Sequence, residues 1–423
     1  MSARLWNYVV LLTVMAAGIN GTLMSSFAQA KDQILPTFEL DRIIELALER
    51  NPMIAGAQSV IQQDEGRQTQ AGAYPNPTLG GGTGSGALRD PSTGGPRVTE
   101  YNLTLHQTVE WPGMRAARKD AAEAGLAGST VGLDEAKLNL IAEVKQGFYE
   151  LLLAERTVDV LQQNLEIVQE VARLVKARVR SGEGPQFELV KAEVEVLKAR
   201  QEVTKAKNSV RVKLVGLDTL TAGALGTRYK VQGDFRMLRN HLDYEQMVSR
   251  DPSQHPTIKR HGKLVEQAEC TVTKERQGRV PNVTFFGGYA RDAGREEMIA
   301  GACLPTPLLY LLQGHIATAL GTQRKEEAEL IRSRNDLMRA INQHAREAET
   351  AQELILVYEE GLIKQAQEAL RIAQLSFRQG ASSLLEVLDA QRVQRQITVD
   401  YNQARFELSL ALTRYERAVG GPL

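Results

Sequence analysis

The sequence predicts a mainly α-helical fold with a small β part, built from a duplicated unit of long coiled-coil helices and carrying four β-strands per chain. Three observations lead there. Landmark residues recur about 200 positions apart in the 423-residue chain. Long proline-free stretches carry apolar residues at heptad spacing, and short two-faced segments beside glycine-rich runs read as strand pairs.

The first thirty residues stand apart from the rest. Arg4, the mostly apolar run from Val9 to Ile19 and Phe27-Ala28-Gln29-Ala30 have the order of a signal peptide, so residues 1–30 are expected to be cleaved after Ala30. An N-terminal membrane anchor is the alternative. No cysteine lies near that site, and an N-terminal lipid is not expected. After Ala30 no window holds eighteen consecutive apolar residues, so export is expected without a helical span. A membrane crossed by β-strands stays open, because its signal per strand is much weaker.

The mature chain divides into two repeats, expected at 37–217 and 240–419. Asn51-Pro52 is echoed by His255-Pro256, and Tyr74-Pro75-Asn76 by Val280-Pro281-Asn282. Arg180-Ser181-Gly182 is echoed by Arg378-Gln379-Gly380, and Phe187-Glu188-Leu189-Val190 by Leu385-Glu386-Val387-Leu388.

Each repeat reads as helix, strand pair and two very long helices. Residues 114–180 contain no proline, and Val144, Leu151, Val158, Leu165, Ala172 and Val179 form a heptad seam with Ala154, Leu161, Val168 and Val175 interleaved. At 1.5 Å per residue such a helix extends about 100 Å, well beyond a globular domain. Gly182, Gly184 and Pro185 break it, and the pattern resumes over 186–215. In the second repeat a helix is expected over 324–379, and Ile397, Tyr401, Ala404, Leu408, Ala411, Tyr415 and Ala418 mark the last one. These stripes are accounted for by helix packing, with no cofactor.

Among the strands, Thr99, Tyr101, Leu103 and Leu105 alternate with Glu100, Asn102, Thr104 and His106. The glycine-rich run 80–86 is its fainter partner. Val283, Phe285 and Tyr289 share a face of the third strand, and 298–304 forms the fourth after a turn at 291–297. Four strands cannot close a barrel, and an open sheet in a bilayer leaves edge amides unpaired. Three chains would supply twelve, giving a trimeric 12-stranded β-barrel above an α-helical tunnel. A soluble, extended coiled-coil protein with small hairpins is the alternative.

Composition excludes several function classes. Lys and Arg number 51 against 51 Asp and Glu, interspersed throughout, so no basic stripe is available for nucleic acid. Two cysteines exclude a disulfide scaffold or a cysteine-rich metal module. No two of the histidines have the spacing of a helical zinc motif; His255 and His261 are the nearest pair. Gly80-Gly81-Gly82 lacks the Lys-Ser or Lys-Thr of a phosphate loop, and Ser181 and Ser253 lack a nucleophile-elbow context. Cys270 and Cys303 read as free thiols. No enzymatic activity, resident metal or cofactor is expected.

The segment Phe377-Arg378-Gln379-Gly380-Ala381-Ser382-Ser383-Leu384-Leu385-Glu386-Val387-Leu388-Asp389-Ala390 resembles the helix-turn-helix signature of the TolC-like outer-membrane factors. Tyr74-Pro75-Asn76-Pro77 and Gln107-Thr108-Val109-Glu110-Trp111-Pro112-Gly113-Met114-Arg115 resemble that family's strand start and end, nearest its heavy-metal, CzcC-like branch. The resemblance implies a homotrimer in the outer membrane of a Gram-negative bacterium with its helical part in the periplasm. It implies a passive export duct that docks to a periplasmic adaptor (membrane fusion) protein and a proton-driven inner-membrane pump, with heavy-metal cations as cargo. It places adaptor docking at the tips around Arg180, Gly182, Arg378 and Gly380. Glu386 and Asp389 match acids that ring the tunnel entrance in some members, and Glu188 is the counterpart in the first repeat. Being three apart, Glu386 and Asp389 share a helical face, and threefold symmetry would turn each carboxylate into a ring. The same acids also suit a helix N-terminus. Phe377 and Ser382 stand where some members place gate-linking polar or basic residues, and Leu308-Leu309-Tyr310-Leu311-Leu312 stands where the family usually has a polar turn. A periplasmic coiled-coil adaptor or scaffold without a channel is the competing function.

Overall fold

The structure, a computed structural model, describes residues 35–87, 97–236, 243–292 and 295–422. The expected signal peptide lies outside the described residues. The first half runs β1 (Thr37–Glu39), α1 (Leu40–Arg50), α2 (Pro52–Gly72), β2 (Thr78–Ala87), β3 (Arg97–Val109), α3 (Pro112–Arg180) and α4 (Gln186–Leu220). The second runs β4 (Lys230–Gln232), α5 (Tyr244–Val248), a 3-10 turn (Pro252–Gln254), α6 (Pro256–Gln277), β5 (Val283–Asp292) and β6 (Arg295–Cys303). It closes with α7 (Gln313–Val357), a π-helical turn (Tyr358–Leu362), α8 (Ile363–Arg378) and α9 (Leu384–Val419).

Three helices start on proline at the first helical position, Pro52, Pro112 and Pro256. There the missing N–H costs nothing and the fixed φ is already helical. α3 therefore starts slightly earlier than its apolar period indicates and runs for 69 residues. It packs along α2, α4, α6 and α9. The apolar core is divided into clusters strung along these helices rather than gathered in one centre. The largest joins Ile43 and Ala47 of α1 to Leu140, Val144, Phe148 and Leu151 of α3 and Leu217 of α4. Fully burying a Leu or Phe contributes about 1.5–3 kcal/mol, so this cluster is the main anchor of the β1 and α1 segment. Farther along, Ala348, Ala351 and Ile355 of α7 meet Ala404, Leu408 and Leu412 of α9. Alanines on both sides let these helices approach closely.

The four longer strands form one antiparallel sheet in the order β2-β3-β5-β6. Its register sets Gly81 opposite Leu103, Leu103 opposite Tyr289, and Tyr289 opposite Met298. The glycine run is a full strand of 10 residues. Its glycines accommodate β3: a Cβ on Gly82 would lie 2.8 Å from Asn102 Oδ1, and one on Gly80 3.0 Å from Thr104 Oγ1. Much of the expected turn at 291–297 is strand instead, because pairing continues through Arg291 with Glu296 to Asp292 with Arg295.

The helix expected over 324–379 starts at Gln313 and is interrupted at Tyr358–Leu362, where Gly361 leaves the helical region. A π turn inserts an extra residue into the ladder, and the helix resumes at Ile363. Tyr401 Oη donates to Glu359 Oε1 at 2.7 Å there, and Tyr358 meets Tyr401 edge-on. A separate two-stranded parallel pair joins β1 to β4, with Phe38 opposite Val231.

Candidate functional site

The sheet has two chemically distinct faces. Leu79, Tyr101, Leu103, Leu105, Phe285 and Met298 expose large apolar side chains on one of them. The other carries Asn102, Thr104, His106 and Thr108, where His106 stacks on Phe286 and the two hydroxyls of Thr108 and Thr284 lie 3.0 Å apart. Phe286 also covers Gly301, whose Cβ would lie 2.6 Å from its ring. β2, β3, β5 and β6 are 10, 13, 10 and 9 residues long, close to the roughly 9–11 residues that cross a bilayer as tilted strands. Among the described residues the outer edges of β2 and β6 have no strand partner.

Where sheet meets helices, side chains satisfy the loose backbone ends. Arg115 donates to Gly72 O, and Arg118 donates to Ala71 O and Ala73 O while holding Glu110 at 2.7 and 2.9 Å. The last carbonyls of α2 are thus capped by cations, as a helix C-terminus favours. Trp111 Nε1 donates to Gln277 Oε1 at 3.0 Å, and its backbone N–H donates to Asn282 Oδ1. The Trp-Pro-Gly-Met-Arg motif marked this junction in the sequence, but the roles of Arg118 and Gln277 carried no local signal.

At the far end the helical hairpins turn through matched motifs. Gly182 has φ +78° and Gly380 φ +74°. Gly182 N–H donates to Val179 O and Glu183 N–H to Arg178 O; Gly380 N–H donates to Phe377 O and Ala381 N–H to Ser376 O. Each is a Schellman closure, which requires a left-handed residue at the position after the cap. Arg180, Gly182, Arg378 and Gly380 are all exposed on these tips. Phe377 is buried with Val171, Val175, Ala192, Leu384 and Val387, and Arg178 lies 5.3 Å over its ring. Ser382 Oγ donates to Ala373 O at 3.3 Å. Both residues hold the tips together.

The three acids sit in comparable places. Glu386 is exposed in the first turn of α9, where Ser383 Oγ donates to its Oε1 at 3.1 Å and accepts from its backbone N–H at 3.4 Å, a variant of the capping box. Asp389, one turn on, pairs with Arg392 at 2.5 Å. Glu188 is half-buried in the first turn of α4, its N–H donating to Pro185 O. Asp389 borders a groove of about 360 Å³ between α3, α4 and α9, also lined by Asn164, Lys191, Lys198, Glu202 and Arg395. Arg395 crosses it to Glu202 at 2.6 Å.

Nearer the sheet, Glu416 is only 6% exposed and accepts from Lys145 and Arg236, each at 2.6 Å. Burial alone would raise its pKa; bonds to the two cations outweigh that and hold it below the usual carboxylate range. Glu135 is treated similarly, its burial outweighed by Thr257 Oγ1 at 2.7 Å and Arg260 at 2.5 Å. These partners lie more than a hundred positions apart, so their pairing could not be read from spacing.

Among the described residues no group of three or more His, Cys, Asp or Glu side chains is placed to hold a metal ion. Both ring nitrogens of His255 are engaged, Nδ1 accepting from Thr257 N–H and Nε2 donating to Arg417 O. It is therefore not available to pair with His261 around an ion. Cys270 and Cys303 are free. No described helix is long and apolar enough to cross a membrane, which says nothing against a barrel.

Comparison with known proteins agrees with this geometry. The profile of the outer membrane efflux protein family matches residues 43–223 and 252–421. The cobalt-zinc-cadmium resistance protein CzcC of Cupriavidus metallidurans is 23% identical over 383 residues, covering 90% of each chain. The pyoverdine export outer membrane protein OpmQ of Pseudomonas putida is 25% identical over 417 residues, covering 90% of this chain and 86% of that one. The solved channel CusC superposes with a TM-score of 0.76 at 16% identity, covering 94% of this chain and 96% of that one.

Proposed function

The chain belongs to the outer membrane efflux protein family and acts as an outer-membrane export channel, and from that premise we propose how it is assembled and what it carries. Three copies close their sheets into a 12-stranded barrel, and their α3–α4 and α8–α9 hairpins form a periplasmic tunnel. The observation that carries this reading is the four-stranded sheet with one exposed apolar face and two unpaired edges. Edge β6 of one copy meets edge β2 of the next, so closure removes every unsatisfied edge amide from the bilayer. Residues 37–217 and 240–419 form the two repeats, preceded by a signal peptide removed after Ala30.

The tips around Arg180, Gly182, Arg378 and Gly380 take the periplasmic adaptor, which couples the duct to a proton-driven inner-membrane pump. Glu386, Asp389 and Glu188 become rings of carboxylates at the tunnel entrance, favouring cations. Heavy-metal cations are the cargo, a reading that leans on the likeness to CzcC. The channel itself catalyses no reaction.

Native mass spectrometry of protein extracted from outer membranes in detergent tests the assembly: a complex of three mature chains is expected, and a water-soluble monomer would sink it. Loss of growth in cobalt, zinc or cadmium on deleting the gene tests the cargo; unchanged tolerance to all three removes the metal assignment while leaving the channel.

A further inference from the structure

We propose that the segment 304–312, between β6 and α7, is a lipid-contact collar that sets Leu308 and Leu309 among the inner-leaflet phospholipids at the periplasmic rim of the barrel. The inference rests on the barrel reading above.

The segment is Leu304-Pro305-Thr306-Pro307-Leu308-Leu309-Tyr310-Leu311-Leu312. Leu308 is 84% exposed and Leu309 99% exposed, and Leu304, Tyr310 and Leu311 are exposed beside them. A contiguous apolar surface of this kind marks a contact rather than scattered surface residues. The segment is nonetheless fixed in place. Arg279 Nε donates to Leu311 O at 3.2 Å, Leu311 N–H to Gln313 Oε1 at 2.9 Å, Gly314 N–H to Tyr310 Oη at 3.1 Å and Leu308 N–H to Thr306 O at 2.9 Å. Leu312, the other end, tucks its side chain against Gly278, where a Cβ would come within 3.1 Å of it. Satisfying backbone groups at Leu308 and Leu311 within the protein is what a segment needs before it can sit at the edge of a hydrocarbon layer.

Position identifies the occupant. The segment continues directly from β6, whose Met298 is 90% exposed on the apolar face of the sheet. It shares the α6 end-turn with Trp111: Trp111 is bonded to Gln277 and Leu311 to Arg279. Tyr74, with Arg115 lying 4.0 Å over its ring, occupies the corresponding junction below β2. Exposed Trp and Tyr with nearby arginines, just below an apolar band, are the composition of a membrane–water interface. Leu309, 99% exposed in the single chain, lies at the level of that aromatic belt, where the lipid surrounding a barrel meets its rim.

Single-tryptophan chains test this. With Trp111 replaced by Phe, Leu309→Trp and Met298→Trp are each reconstituted as the mature protein in phosphatidylethanolamine/phosphatidylglycerol vesicles with or without brominated acyl chains. At least a twofold loss of Leu309→Trp fluorescence in brominated vesicles, with little quenching by aqueous iodide, is expected. Quenching of Leu309→Trp by iodide alone overturns the collar, as does protection from both quenchers, which places the loop against another copy. Met298→Trp separates the two claims: bromolipid quenching there keeps the barrel when the collar fails, and its absence at both positions overturns both.

Discussion

His255 and Arg417 are joined by a hydrogen bond from the imidazole Nε2–H to the Arg417 carbonyl at 2.9 Å, tying the start of α6 to the last turn of α9. Asn51 does the same work in the first half, donating from Nδ2 to Leu220 O at 2.9 Å while its Oδ1 caps α2 through Met53 N–H. His255 caps α6 with Nδ1, so it must be neutral. Burial lowers its pKa, partly opposed by the bond to Arg417 and by Glu135. A depressed histidine leaves stability intact above the unfolded pKa of about 6.5 and loses it as pH falls through the folded value. His255→Ala is expected to cost about 1 kcal/mol or more through the lost cap. His255→Asn should keep the cap and lower the drop in melting temperature between pH 7.5 and pH 5.5. A drop identical to that of the unaltered protein would show that His255 is not the group being protonated.

Glu416→Gln removes a carboxylate that two cations share. Lys145 and Arg236 would then be left part-buried without their main counter-charge, at an expected cost of about 2–3 kcal/mol. Because the Glu416 pKa is depressed, its contribution is present above about pH 4.5 and fades as pH falls through the folded value. Denaturant unfolding in detergent at pH 7 and pH 4 checks both: the variant should be weaker at pH 7, and the gap should narrow at pH 4.

Much of the helical architecture was legible because long helices obey periodic rules. Of the heptad seam, Val144 and Leu151 are fully buried, whereas Val158, Leu165, Ala172 and Val179 nearer the tip are only half-buried. β3 was legible from strict alternation. β2 was faint because its glycines yield space to Asn102 and Thr104 on β3, a cause that lies on another strand. The β1–β4 pair is three residues long on each side, too short to show a period. The π turn at Tyr358–Leu362 escaped because Gly361 sits in an otherwise regular helical pattern, where one glycine costs only about 1 kcal/mol. At the tips, glycine and charge were readable, whereas the burial of Phe377 and the crossing of Arg395 to Glu202 depend on distant packing.

Gly380→Ala is expected to destabilise the tip by about 1–2 kcal/mol. No atom lies within 4 Å of where its Cβ would be, so the cost comes from the left-handed backbone and not from a clash. Gly380→Asn, which tolerates that conformation better, should cost less. Hydrogen exchange of the amides at positions 380 and 381 is the direct readout: faster exchange in the alanine variant than in the unaltered protein is expected, and equal protection in those two would show that the turn does not depend on glycine.

Glu386→Gln with Asp389→Asn isolates charge from folding. Gln in the third helical position keeps a capping-box partner for Ser383, and the Asp389→Asn change keeps the size of the side chain while releasing Arg392 from its pair. If the acids form rings around a narrow entrance, three copies lose six negative charges within a few ångströms of the axis, and low-dielectric walls magnify the loss. Cation preference in planar bilayers under a salt gradient should fall, moving the reversal potential toward zero. The effect should shrink at high salt, where the screening length is about 3 Å at 1 M. An unchanged reversal potential at low salt would place both carboxylates off the conduction path, leaving Glu386 as a cap and Asp389 as the partner of Arg392.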